Sequence, residues 1–231
     1  MNSDETSLAA SNESSHVGVL TEAFQRILNN VAGEDSAREG LLDTPNRAAR
    51  AMEYLTSGYQ QSAQDIVEGA IFQFGSNDMV LMKEIAVYSL CEHHLLPFFG
   101  KVHIAYYPKD RRVVGLSKLP RLVDVYTRRL QMQERLTQEI GQALDEHLGT
   151  RGVAVLMECR HLCMEMRGVE RTNATTVTRF QSGLFQDHTK WSEFIACTHG
   201  EGAATAASRT DSQMSTNSVV VNQHVDVDLV D

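Results

Sequence analysis

The period of the apolar residues switches along this chain from helical to alternating and back again, and that order limits the folds open to it. From Val17, the residues Leu20, Phe24, Ile27, Leu28 and Val31 recur at helical spacing until Gly33, a C-terminal stop signal. A second helix opens at Thr44-Pro45, with the threonine hydroxyl as N-cap and proline at the first helical position, and ends near Gly58. The middle of the chain favours strands. Val80 to Leu90 and Val102 to Tyr107 are rich in β-formers, and the turn Pro108-Lys109-Asp110 leads to a short strand from Arg112 to Leu116. Helical spacing returns behind a Ser117 cap with Leu119, Leu122, Val123, Tyr126 and Leu130, then with Leu136, Ile140, Leu144 and Leu148, stopped by Gly149. Strands follow at Val153 to Arg167 and Thr175 to Phe180. This order predicts an α+β sandwich, with helices backing one face of an antiparallel sheet.

With 231 residues, 42% of them hydrophobic, the chain can bury one substantial core. The expected domain covers residues 16–200. Residues 1–15 and 201–231 are dominated by small polar and acidic residues, which cannot offset their ordering entropy by burial, and read as disordered tails. The final VVVNQHVDVDLVD alternates enough to form an edge strand, although a loose tail is the simpler expectation. A formal net charge of -9 argues against nucleic acid as a partner, while leaving room for a local Arg/Lys cluster around a small polyanion. The N-terminus reads MNSDETSLAASNESS, with no apolar run behind basic residues, and no apolar stretch is long enough to span a bilayer. A cytoplasmic location without membrane contact is therefore expected. The four cysteines, Cys91, Cys159, Cys163 and Cys197, then suit metal binding or catalysis better than a disulfide framework.

The chemistry concentrates in SLCEHHLLPF, residues 89–98, where a thiol, a carboxylate and two imidazoles occupy consecutive positions. Cys91 and His94 are three apart, a spacing that aims both side chains at one metal ion. Alternation along the strand from Val153 would put His161, Cys163, Glu165 and Arg167 on one sheet face. Cys91, His94 and Cys163 would then form a Cys2His site, whose fourth position is left to water in catalytic zinc centres. Cys159 or Cys197 as a fourth ligand would instead close a structural site. Thiolates favour zinc over magnesium or calcium, and zinc brings the pKa of a bound water to near neutrality. His93 and His161 remain as candidates for proton transfer.

The segments CEHHLLPFFGKVHIAYYPKD, VVGLSKLPRLVD, QMQERLTQEI and RHLCMEMRGVERTNATTVT together resemble the signature blocks of GTP cyclohydrolase I, over about residues 17–198. The resemblance implies a tunnelling fold assembled into a toroidal homodecamer, with active sites between subunits. It implies hydrolysis and ring rearrangement of GTP to 7,8-dihydroneopterin triphosphate plus formate, the first step of tetrahydrofolate and pterin biosynthesis. Cys91, His94 and Cys163 match the zinc ligands, His93 and His161 the acid/base histidines, and Ser117 the serine near the ribose. Glu134 matches the carboxylate that anchors guanine, with Gln133 beside it. Lys118, Arg121 and Arg167, with Arg47 from a neighbouring subunit, match the triphosphate-binding positions. Glu165 departs from the pattern: the family more often carries an apolar or basic residue there, and an acid would weaken triphosphate binding or hold Arg167 in place.

Overall fold

The computed structural model describes residues 4–199 and the pair 219–220; residues 1–3, 200–218 and 221–231 lie outside the described residues. The chain divides into two compact units, Met1–Ser57 and Gly58–Asp231. In the first unit, α1 (Asp4–Asn29) packs against α2 (Thr44–Leu55), which buries Pro45 and Ala49. Helix α1 thus begins before Val17, because the polar residues ahead of it contain no helix breaker. At α2 the N-cap is Asp43 rather than Thr44, and the Thr44 hydroxyl donates instead to the Gly40 carbonyl at 3.3 Å.

The second unit opens with α3 (Ala63–Glu68), capped by Ser62, whose Oγ accepts from the Asp65 N–H at 3.1 Å. Helix α2 ends near Gly58, as expected, and Gly58 itself sits at a close backbone approach. A Cβ there would lie 2.2 Å from the Val125 carbonyl oxygen, so only glycine fits this approach. Strand β1 (Ile71–Gln73) pairs antiparallel with β4 (Arg112–Val114). A separate sheet is built on β2 (Val80–Cys91), β3 (Pro97–Tyr107), β6 (Gly152–His161) and β7 (Thr176–Gln181), antiparallel neighbours in the order β2-β3-β6-β7. The two-residue strand β5 (Leu130–Gln131) lies parallel to the end of β2. Val219–Val220 (β8) lies parallel to β7 of the same chain.

Sheet residues of one parity, including Val87, Phe98, Val102, Ile104, Val155 and Met157, form the main core with α4 (Lys118–Thr127) and α5 (Gln133–Leu148). Gly149 ends α5 in a left-handed conformation at φ 66°, as its position in the sequence suggests. The opposite parity, however, is also apolar at Ala105, Tyr107, Ala154 and Leu156, and α7 (His188–Thr198) covers it with Phe194 beside Phe185. Helices therefore back both faces rather than one: a sheet apolar at both parities must be covered on both sides. Among the described residues no helix is long and apolar enough to cross a membrane.

Candidate active site

One end of the sheet collects the chemistry. Strand β2 ends in Cys91, β3 begins at Pro97, β6 ends in His161 and α5 starts at Gln133. The link between β2 and β3 is a tight turn in which the Cys91 carbonyl accepts from the His94 and Leu95 N–H groups, at 3.3 and 2.8 Å. Leu95 adopts φ 54° to complete it. The turn folds His94 back until its Nδ1 lies 3.7 Å from Cys91 Sγ.

The third member arrives by a route that alternation did not foresee. Strand β6 stops at His161, and Leu162–Glu165 (α6) forms a helical turn closed by Met166 N–H to the Leu162 carbonyl at 3.1 Å. His161, Cys163, Glu165 and Arg167 consequently do not share a strand face. The turn nevertheless brings Cys163 in: the ligand atoms of Cys91, His94 and Cys163 all lie within 4.8 Å of one another. A sulfur and a nitrogen around a tetrahedral zinc would sit about 3.5 Å apart, close to the 3.7 Å between Cys91 Sγ and His94 Nδ1. His93 Nδ1 is also 3.7 Å from Cys91 Sγ, but His93 is not part of this group. Burial and the adjacent Cys91 thiol push the Cys163 thiol up, a strain that a divalent cation would relieve. The donor set fits a metal ion.

Neither remaining cysteine joins the group. Cys159 is buried in the core, where burial pushes its thiol up to about 12, and Cys197 is exposed on α7. Glu92 is held by Arg135, whose bond keeps the carboxyl below the usual carboxylate range, and Arg135 also donates to Gln131 Oε1 at 3.0 Å. Arg135 and Gln131 carried no sequence signal for this role, because each alone reads as an ordinary helix-flanking residue.

His161 stacks on the fully buried Phe98, with ring centroids 4.8 Å apart and planes 8° from parallel. Burial pulls its pKa down, with partial opposition from Glu134 and then Glu165. Half-buried Glu134 makes no hydrogen bond or ion pair among the described residues. Gln133 is different: it is 1% exposed, and its side chain is wholly engaged with protein groups.

Lys118 and Arg121 lie one turn apart at the start of α4, behind Ser117, whose exposed hydroxyl makes no capping bond. Arg167 is exposed and close enough to Cys163 to bear on its charge. Glu165 is paired with Arg160, through contacts of 2.6 and 2.8 Å, rather than with Arg167. Arg47 belongs to the first unit, where it bonds Asp43 and Thr44 at 3.2 Å and the Gly40 carbonyl at 3.3 Å.

Residues 20–199 match the sequence profile described as GTP cyclohydrolase I. A "GTP cyclohydrolase 1" of Campylobacter lari is 53% identical over 169 residues, covering 72% of this chain and 88% of the relative. A "GTP cyclohydrolase 1 2" of Pseudomonas aeruginosa is 51% identical over 178 residues, covering 77% and 97%. A "GTP cyclohydrolase 1" of Chlorobaculum tepidum is 51% identical over 180 residues, covering 78% and 80%. Among solved structures, an archaeosine synthase QueF-like protein in the apo form aligns at a TM-score of 0.38 and 18% identity, over 47% of this chain and 97% of that one, too slight a likeness to build on. With four-fifths or more of each of these three relatives matched at about half identity, this chain belongs to the GTP cyclohydrolase I family.

Proposed function

We infer that the protein is a GTP cyclohydrolase I, hydrolysing and rearranging GTP to 7,8-dihydroneopterin triphosphate and formate. The observation that carries this reading is the convergence of Cys91, His94 and Cys163 in a chain of that family. Zinc is the metal these ligands suit, because two thiolates and an imidazole disfavour magnesium and calcium. When bound, it would supply the Lewis acidity that activates water for attack on guanine C8.

The protein's own groups divide the remaining work. The Glu134 carboxylate accepts the guanine ring N–H and amino group, the two donors on that edge of the base. His161 or His93 delivers a proton to N7, which makes C8 electrophilic, and the same pair returns protons as the imidazole ring opens and formate leaves. Ser117, its hydroxyl uncommitted, assists the later sugar rearrangement before pterin ring closure. Lys118, Arg121 and Arg167, with Arg47 of a neighbouring subunit, hold the triphosphate as a local positive pocket on an acidic protein.

The same reading includes a tunnelling fold closed into a toroidal homodecamer. In support, β2 pairs with β5 only at Leu90 and Cys91, which leaves the rest of its outer edge without a strand partner among the described residues. Such an edge suits pairing with a second copy. Four free cysteines support a cytoplasmic location. The test is incubation of zinc-loaded protein with GTP, following formate release and pterin absorbance. Both products are expected from the wild type and neither from Cys163→Ser; zinc-loaded wild-type protein that makes neither overturns the reading.

A further inference from the structure

The position sequence matching gives to guanine binding, Gln133, is spent inside the protein, and how it is spent bears on His161. Its amide nitrogen faces three acceptors: the Met157 carbonyl at 3.2 Å, the Thr176 carbonyl at 3.0 Å and Thr178 Oγ1 at 3.0 Å. Two of these are backbone carbonyls, which only accept. The NH2 end of the amide therefore belongs on that side by chemistry, whatever contrast distinguishes nitrogen from oxygen. The hydroxyls are consistent with this direction. Thr137 donates to the main-chain carbonyl of Gln133 at 2.8 Å, which leaves its oxygen to accept from Thr178 at 2.7 Å and the Thr178 oxygen to accept from the Gln133 amide. The two amide hydrogens are shared among the three acceptors.

The other end of the amide, Oε1, lies 2.8 Å from His161 Nε2. An amide oxygen cannot donate, so Nε2 must carry the hydrogen, and in the neutral imidazole Nδ1 is then the bare nitrogen. Phe98 holds the face of the same ring. We propose that Gln133 is a positioning residue: by accepting from Nε2 it fixes the orientation of His161 and its tautomer, with Nδ1 as the bare nitrogen. A neutral amide also orients the ring without the gain in basicity that a carboxylate would bring.

This proposal rests on His161 being an acid/base group, and the experiment keeps the two apart. The full-length zinc-loaded chain is labelled with nitrogen-15 histidine, and the His161 ring nitrogens, assigned by their loss in His161→Gln, are observed by solid-state NMR. The expected wild-type spectrum has Nε2 protonated and Nδ1 bare, and Gln133→Met, close in volume but without the acceptor, gives mixed tautomers. In turnover of GTP, Gln133→Met loses about 10- to 100-fold in kcat with KM changed by less than about threefold. Thr178→Val, which removes one anchor of the amide, shows the same split to a smaller degree, and Thr178→Ser restores most of the loss; this pair carries the test if Gln133→Met does not fold. A wild-type His161 in the Nδ1–H form overturns the proposal even with normal turnover. So does a Gln133→Met variant that raises KM at unchanged kcat, which is the signature of direct guanine binding. Wild-type protein that shows the expected tautomer but releases no formate from GTP overturns instead the cyclohydrolase reading.

Discussion

Gly100→Ala is the substitution whose cost the structure fixes most closely. Gly100 lies in β3 opposite Cys159 of β6, in the middle of the sheet. An added Cβ would fall 1.9 Å from the Glu158 carbonyl oxygen and 2.7 Å from Cys159 Cα, both backbone atoms. Contact distance is about 3.5 Å, so the strands would have to separate by roughly 1.5 Å, and no side chain can swing away to relieve the overlap. Overpacking of this kind costs about 1–3 kcal/mol, and each ladder bond left buried and unmade adds about 1–3 kcal/mol. With one ladder bond lost the total is about 2–6 kcal/mol, against a small gain from exchanging glycine for alanine in a strand. For a chain of this size that lowers the thermal midpoint by roughly 4–24 °C. The damage reaches the site, because the next pair on that face of the same ladder is Phe98 and His161. Thermal unfolding followed by circular dichroism measures the shift, with Gly18→Ala as control. A Cβ at Gly18, inside α1, meets nothing within 4 Å, and this change should raise stability by about 0.5–1 kcal/mol. A Gly100→Ala protein within about 0.5 kcal/mol of wild type would refute the steric argument.

Three further outcomes are expected. Elemental analysis of Cys163→Ser should find the bound metal lost, whereas Cys159→Ser should retain it; equal metal content in the two would remove Cys163 from the ligand set. Arg167→Ala or Lys118→Ala should raise KM for GTP roughly tenfold or more with a smaller change in kcat, and an unchanged KM would take that residue out of the triphosphate pocket. The third concerns His103, which is 3% exposed on β3 with Nδ1 lacking a partner among the described residues. Burial holds its pKa below the ordinary value, with Glu158 and then Glu84 opposing and Lys101 and His199 reinforcing the shift. The unfolded chain therefore takes up this proton first, near about pH 6.5, and stability falls as pH drops below that value. The thermal midpoint should drop between about pH 7.5 and about pH 5.5 by more in wild type than in His103→Leu. Identical drops would show that this histidine does not contribute.

How much of this was legible in the sequence depends on whether the signal was local. Gly149 stopping α5, the apolar stripes of α4 and α5, and the paired Cys91 and His94 all follow from neighbours within a turn, and the structure has each of them. The blocks quoted for the family were likewise readable, because a match needs only residue identity and order. Period alone failed where a segment changed geometry without changing composition. Val153 to Arg167 reads as one strand, yet the chain turns helical after His161. Apolar residues at both parities of β3 and β6 decided that a helix covers the second face, but nothing local says which helix.

What only the tertiary structure decided is the use to which polar groups are put. Gln133 at a helix start looks exposed in sequence, and becomes a buried link to His161 only because Met157, Thr176 and Thr178 arrive from two strands far along the chain. Glu165 looks like a neighbour of Arg167, and becomes the partner of Arg160 because the helical turn at Leu162 carries it back over the end of β6. Sequence by itself determined which residues could bond, ligate or carry protons, since that is a property of their atoms. Which of those capacities is used is set by distance and burial, and both come from strand pairing and helix packing between residues tens of positions apart.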